Sequence, residues 1–134
     1  MKVLVTGGSG NVGRIVSQHL CQAGHSVVIF DMQEPTVDVG QFIRGSLTNS
    51  DAVEKATAGC DAVVHLAAIP AYKPEIPTSD FMLINVAGTS NVVEAAGRNG
   101  VDRFVMASSD SALGFVFASN PFAPLTFPID ETHP

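Results

Sequence analysis

A short apolar run that ends in a glycine cluster, residues 1–13 (MKVLVTGGSGNVG), constrains the fold of this chain more than any other segment. Residues 2–6 read as a buried strand, and a helical apolar pattern follows the cluster until Gly24. A strand that turns through glycines into a helix leaves unpaired amides at the helix N-terminus, where an anion is favoured. The segment therefore predicts a pyrophosphate-binding turn. The apolar positions of the predicted helix are Val12, Ile15, Val16, Leu20 and Ala23.

A second apolar run, residues 27–30, ends at Asp31, about 20 positions beyond the glycines. An acidic residue at this place is the expected partner of an adenosine ribose hydroxyl. The complete strand–helix–strand context favours dinucleotide binding over an ordinary strand-to-helix turn. Asp31 favours NAD over NADP, because its carboxylate accepts from the ribose diol and repels a 2′-phosphate. Arg14 and Arg44 are the nearby cations that could reach such a phosphate.

Strand and helix patterns alternate along the chain. Further strands are predicted at 41–44, 61–68 and 103–107, with helices running from Asn49 or Ser50 to Gly59 and from 78 to about 99. This alternation predicts an α/β fold, a Rossmann-type doubly wound parallel sheet of order 3-2-1-4-5. We expect one NAD(P)-binding domain over residues 1–134, with the sheet truncated after strand 5 and an irregular tail from about 109.

Composition excludes several classes of protein. The net charge of −6 argues against a nucleic-acid partner, and the chain has no apolar run of 18 residues that would indicate a membrane span. Cys21 and Cys60 have no metal-like spacing and indicate reduced thiols in a cytoplasmic protein. The four histidines form no ligand cluster in sequence, so no metal site is expected.

Four further motifs accompany the glycine turn: His65-Leu66-Ala67-Ala68, Asn85-Val86-x-Gly88-Thr89, Ala107-Ser108-Ser109 followed by Gly114, and the proline-bounded segment 128–134. Together with Thr6-Gly7-x-x-Gly10-x-x-Gly13, they support a similarity that covers the whole chain. The chain resembles the extended short-chain dehydrogenase/reductase family, in particular NAD-dependent sugar epimerases, dehydratases and uronate-type dehydrogenases.

The resemblance implies a role for each matching residue. Ser109 would hydrogen-bond a substrate hydroxyl, and Ser46 stands where the family often has an acidic residue that reaches the adenine amino group. The implied cofactor-binding residues are Gly7, Gly10, Asn11, Val12, Gly13, Asp31, Ser46, Leu47, Leu66, Ala67, Ala68, Asn85, Ala107 and Ser108.

The chain departs from the family at the catalytic pair, a Tyr-x-x-x-Lys motif in which the lysine lowers the tyrosine pKa. The one tyrosine is Tyr72, position 76 is Ile, and Lys73 is adjacent rather than one helical turn away. Tyr72 is therefore expected to be a loop residue, and the sequence stops about where the catalytic helix should begin.

We expect an NAD-binding domain of a sugar epimerase, dehydratase or dehydrogenase that is inactive alone and meets its sugar or nucleotide-sugar substrate only with the remaining half. The alternatives are a non-catalytic NAD-binding or oligomerisation module and an unliganded structural remnant.

The predicted helix at 78–99 carries apolar residues around its circumference, and strand 5 would be an exposed edge. Both features predict a homo-oligomer that associates through this helix or through the strand-5 edge. The alternative is a helix buried beneath the segment 108–134.

Overall fold

The computed structural model describes residues 1–70, 74–113 and 128–132. Five parallel strands form one sheet in the order β3-β2-β1-β4-β5, which confirms the predicted doubly wound topology. The strands are β1 (Lys2–Thr6), β2 (Ser26–Asp31), β3 (Gln41–Arg44), β4 (Ala62–His65) and β5 (Arg103–Met106).

Helices connect the strands. They are α1 (Asn11–Gln22), α2 (Ser50–Thr57) and a long helix that comprises α3 (Thr78–Phe81), a π-helical segment (Met82–Gly88) and α4 (Thr89–Arg98). The backbone stays right-handed helical through both junctions, with φ of −60° at Phe81 and −61° at Gly88. The structure keeps the long helix predicted from the sequence but widens its middle turns into a π-helical segment, and such segments are frequent at functional sites.

The three central strands, β1, β2 and β4, are covered on both faces. Leu4, Val28 and Val63 point to one side and pack against α2 and α4, whereas Val3 and Val5 point to the other side and pack near α1. Successive side chains of a strand alternate between faces, so apolar runs such as β1 are buried throughout.

The predicted apolar stripe of α1 is partly wrong. Val12 and Ile15 are exposed, at 61% and 51%, whereas Gly13 and Ser17 are buried. A Cβ atom on residue 13 would lie 2.1 Å from the carbonyl oxygen of Gly7, so no side chain fits there. The helix approaches the glycine turn through its small residues, and this close approach turns Val12 and Ile15 outward.

Several apolar side chains of the long helix and of the edge strand β5 remain exposed. They are Met82, Leu83, Val86 and Val93 on the long helix, and Phe104, Val105 and Met106 on β5. Among the described residues, none of the helices is both long and apolar enough to cross a membrane.

After β5 the chain forms a short 3₁₀ turn, Asp110–Leu113. The loop prediction for Tyr72 and Lys73 lies outside the described residues, as does most of the predicted irregular tail (114–127 and 133–134).

Candidate nucleotide-binding site

The glycine turn joins β1 to α1 at the carboxyl edge of the sheet. Gly7 has φ +69° and donates its N–H to the carbonyl of Phe30 at 3.0 Å. A Cβ atom at this position would lie 2.7 Å from the backbone of Ala67. Both the left-handed backbone and the contact require glycine, so the turn passes closely between β2 and the segment after β4.

The N-terminus of α1 is left open by the protein. Its N-cap is Gly10, which has no side chain to cap the helix, and the first turn contains no acidic residue. Arg14 N–H bonds the Gly10 carbonyl at 2.9 Å, and helix geometry leaves the preceding amides of Asn11, Val12 and Gly13 without an intrahelical acceptor.

The N-terminus of α2, unlike that of α1, is capped by a side chain of the protein. The side chain of Asn49 caps its N-terminus by accepting from Ala52 N–H at 3.1 Å, and Asp51 lies in its first turn. The positive end of α2 is thus satisfied internally, whereas that of α1 is available to an external anion.

Asp31 lies at the end of β2, half-buried, and each of its carboxylate oxygens accepts one backbone N–H. Oδ2 accepts from Ser9 at 3.0 Å, and Oδ1 accepts from Gln33 at 3.0 Å. Each carboxylate oxygen keeps a second lone pair. The two backbone bonds therefore orient the carboxylate, which can still accept hydrogen bonds from hydroxyl groups.

A cavity of about 450 Å³ opens beside this turn, at the carboxyl ends of the strands, where ligands bind in doubly wound sheets. Eight residues predicted from the sequence line it: Gly7, Gly10, Asp31, Ser46, Leu47, Leu66, Ala67 and Ala68. Sequence reasoning missed six further lining residues: Phe30, Met32, Gln33, Gly45, Ile69 and Ile84. Of these six, Gly45 could have been predicted from the sequence, because it is a glycine directly after β3. A Cβ atom at this position would lie 2.4 Å from the Phe30 ring.

Asn85 does not line the cavity. Its side chain accepts from the N–H of Ile69 at 2.8 Å and donates to the carbonyl of Ile69 at 3.0 Å. Because Ile69 is a lining residue, Asn85 acts on the site through the backbone that it holds.

His65, which precedes the lining residues of its motif, does not line the cavity and is buried. One ring nitrogen lies 2.6 Å from Thr6 Oγ1 and the other 2.9 Å from Thr89 Oγ1. Burial lowers the pKa of His65, which favours the neutral ring. The histidine therefore links β1, β4 and the long helix as a structural residue.

The predicted residues after β5 lie outside the cavity. Ala107 donates its N–H to the carbonyl of His65 at 3.0 Å, which continues the pairing of β4 with β5. Ser108 and Ser109 are exposed, and Ser109 Oγ accepts from Ser111 N–H at 3.2 Å. The cavity and this second group thus occupy different parts of the carboxyl edge of the sheet.

This chain is similar in sequence to enzymes that act on different substrates. The uronate dehydrogenase of Pseudomonas syringae pv. tomato is 30% identical over 117 residues, covering 85% of this chain and 42% of that enzyme. The 3-beta-hydroxysteroid dehydrogenase of Mycolicibacterium neoaurum is 38% identical over 120 residues, covering 84% of this chain and 33% of that enzyme. The chain spans less than half the length of these curated relatives.

The fold is shared with solved structures. A short-chain dehydrogenase/reductase superfamily protein from Agrobacterium tumefaciens, solved with bound NAD, aligns with a TM-score of 0.82 at 34% identity. The alignment covers 100% of this chain and 38% of that one. A sequence profile of the NAD dependent epimerase/dehydratase family matches residues 3–132. The chain therefore belongs to the NAD dependent epimerase/dehydratase family, within the short-chain dehydrogenases/reductases.

Proposed function

We propose that residues 1–134 form a single domain that binds NAD in the cavity beside the glycine turn. The observation that carries this proposal is the placement of an uncapped helix N-terminus and an oriented carboxylate, Asp31, at one cavity. The open amides of α1 suit the pyrophosphate, and Asp31 suits the adenosine ribose. The apolar walls, which include Leu47 and Leu66, suit the adenine ring.

The remaining site residues extend this proposal along the carboxyl edge. Asn11, Val12 and Gly13 would donate backbone N–H groups, Ser46 would approach the adenine, and Asn85 would hold the wall at Ile69. Ala107, Ser108 and Ser109 would flank the nicotinamide and its substrate, with the Ser109 hydroxyl positioning a substrate hydroxyl. When bound, NAD supplies a nicotinamide that exchanges a hydride.

NAD is proposed in preference to NADP. The Asp31 carboxylate at the end of β2 would repel the charge of a 2′-phosphate on the adenosine ribose. The nearby cation Arg44 donates to the carbonyl of Met32 at 3.0 Å and lies 3.8 Å from the carboxylate of Glu34, which offsets part of its charge.

The proposed substrate of the whole protein is a sugar or nucleotide sugar, and the proposed reaction is an epimerisation, dehydration or dehydrogenation. The similarity to a uronate dehydrogenase supports a sugar substrate. The similarity to a steroid dehydrogenase is the reason to test other alcohols as substrates as well. The 134 residues contain no Tyr-x-x-x-Lys motif, since Ile76 follows Tyr72 by four positions. We therefore propose that these residues bind the cofactor without turning over substrate.

Calorimetric titration with NAD and NADP tests the binding proposal, with tighter NAD binding expected. Turnover assays with uronates, UDP-sugars, simple aldoses and a 3β-hydroxysteroid then test activity. The second candidate is a non-catalytic NAD-binding module. NAD binding without turnover by a longer protein carrying this chain would favour that module, and failure to bind NAD would reject both proposals.

We also propose that the chain forms a homo-oligomer in the cytoplasm. The exposed apolar residues of the long helix and the exposed strand β5 support an association surface. The free cysteines Cys21 and Cys60 suit a reducing compartment. Light scattering across micromolar concentrations should show an oligomer that Val86→Glu weakens, and a monomer throughout would reject the proposal.

A further inference from the structure

We propose that Ser9 is a positioning residue for the adenosine half of the cofactor, an inference that rests on the proposed NAD-binding function. Ser9 N–H donates to Asp31 Oδ2 at 3.0 Å, and Gln33 N–H donates to Asp31 Oδ1 at 3.0 Å. The Ser9 hydroxyl then donates to the carbonyl of Gln33 at 2.6 Å. These three bonds form a closed ring that ties the glycine turn to the segment after β2.

The Ser9 hydroxyl holds the glycine turn close to Gln33 through its bond to the Gln33 carbonyl. Both backbone donors orient the Asp31 carboxylate, but they lie on separate segments, and the hydroxyl is the side-chain bond that joins those segments directly. Asp31, Met32 and Gln33 all line the cavity, whereas Ser9 does not. Ser9 therefore acts through them, by holding them in place before the ligand arrives.

Other bonds hold the sheet and the turn without the Ser9 hydroxyl. Gly7 N–H bonds the carbonyl of Phe30 at 3.0 Å, and Gly45 N–H bonds the carbonyl of Asp31 at 2.9 Å. Gln33 itself is exposed. Loss of the hydroxyl should thus release Gln33, the residue that it bonds, while leaving the fold stable.

The test compares the wild type with Ser9→Ala and with a control, Ser26→Ala. Ser26 is exposed at the opposite end of β2, so the control makes the same chemical change away from the cavity. Calorimetry should show that Ser9→Ala lowers the affinities for NAD and for AMP by a similar factor, about fivefold, because both ligands contain the adenosine half. The control should bind both ligands like the wild type, and the melting temperatures of all three proteins should agree.

Amide hydrogen exchange of the ligand-free protein gives the second readout. The Gln33 amide should exchange faster in Ser9→Ala than in the wild type or the control. Wild-type affinity in Ser9→Ala would overturn the inference, and so would weaker binding with unchanged exchange at Gln33 or with a fall of several degrees in melting temperature. Failure of the wild type to bind NAD and AMP would overturn the proposed function as well, so the two failures are distinguishable.

Discussion

Asn85 and Ile69 are joined by two hydrogen bonds, in which the side-chain amide of Asn85 pairs with both the N–H and the carbonyl of Ile69, at 2.8 and 3.0 Å. Asn85 lies in the π-helical segment, and Ile69 belongs to the cavity wall. The pairing uses one acceptor and one donor on the same side chain, which an amide provides and a carboxylate does not. It fixes one wall of the cavity to the long helix.

Asn85→Asp should therefore destabilise the protein by about 1–3 kcal/mol, because the bond to the Ile69 carbonyl is lost and two acceptors face each other. NAD affinity should fall as well, since the wall at Ile69 is released. Urea unfolding and calorimetry measure the two effects. Asn49→Asp is the matched control: the Asn49 side chain accepts a bond from Ala52 N–H at the start of α2, where Asp and Asn cap equally well. Equal stability of both variants would contradict this role of Asn85.

Gly13→Ala should abolish NAD binding and lower the free energy of unfolding by several kcal/mol. The added Cβ would lie 2.1 Å from the Gly7 carbonyl oxygen, so the helix would have to move away from the glycine turn. Gly97→Ala serves as control, because a Cβ atom there meets nothing within 4 Å. That substitution in α4 should raise the free energy of unfolding by about 0.5–1 kcal/mol. Thermal melts and NAD titrations check both outcomes.

Asp31→Asn should weaken NAD binding by about tenfold and reduce the preference for NAD over NADP. The amide loses the negative charge that strengthens bonds to the ribose hydroxyls and repels a 2′-phosphate. Asp102→Asn removes an equal charge from an exposed position just before β5 and should leave both affinities unchanged. An unaltered preference in Asp31→Asn would remove the basis for assigning NAD from this residue.

His65 should make the protein less stable as the pH falls. Burial lowers the pKa of His65 in the folded state below its ordinary value of about 6.5, so the unfolded chain binds more protons in that range. The associated stability is present above pH 6.5 and is lost as the pH falls towards the lower folded-state pKa. His65→Asn should be less stable at pH 7.5 but should show a flatter profile from pH 7 to 5. The same profile measured on His19→Gln, a histidine substitution at an exposed position of α1, is the comparison.

Local patterns in the sequence account for the predictions that the structure confirms. The strand order follows from alternating strands and helices because parallel strands need crossover helices of one hand. The glycine turn and Asp31 meet at one cavity because strands β1 and β2 are neighbours whose carboxyl ends share an edge. These features depend on residues close in sequence or on general rules of topology.

Other features depend on distances that no local pattern contains. The outward turn of Val12 and Ile15 follows from how closely α1 approaches the glycine turn. The burial of His65 requires Thr6 and Thr89 on either side of its ring, from segments 59 and 24 residues away. The bonds of Ser9 to Asp31 and Gln33 likewise join residues more than 20 positions apart.

The sequence by itself thus determined the class of fold, the family and the placement of a glycine turn beside an acidic strand end, because backbone conformation and apolar periodicity are local properties. The tertiary structure alone decided which side chains orient the site: Ser9 and Asn85 hold backbone segments that line the cavity, and His65 turns into the core. Hydrogen bonds act only over about 3 Å, so these roles exist only once distant segments have packed together.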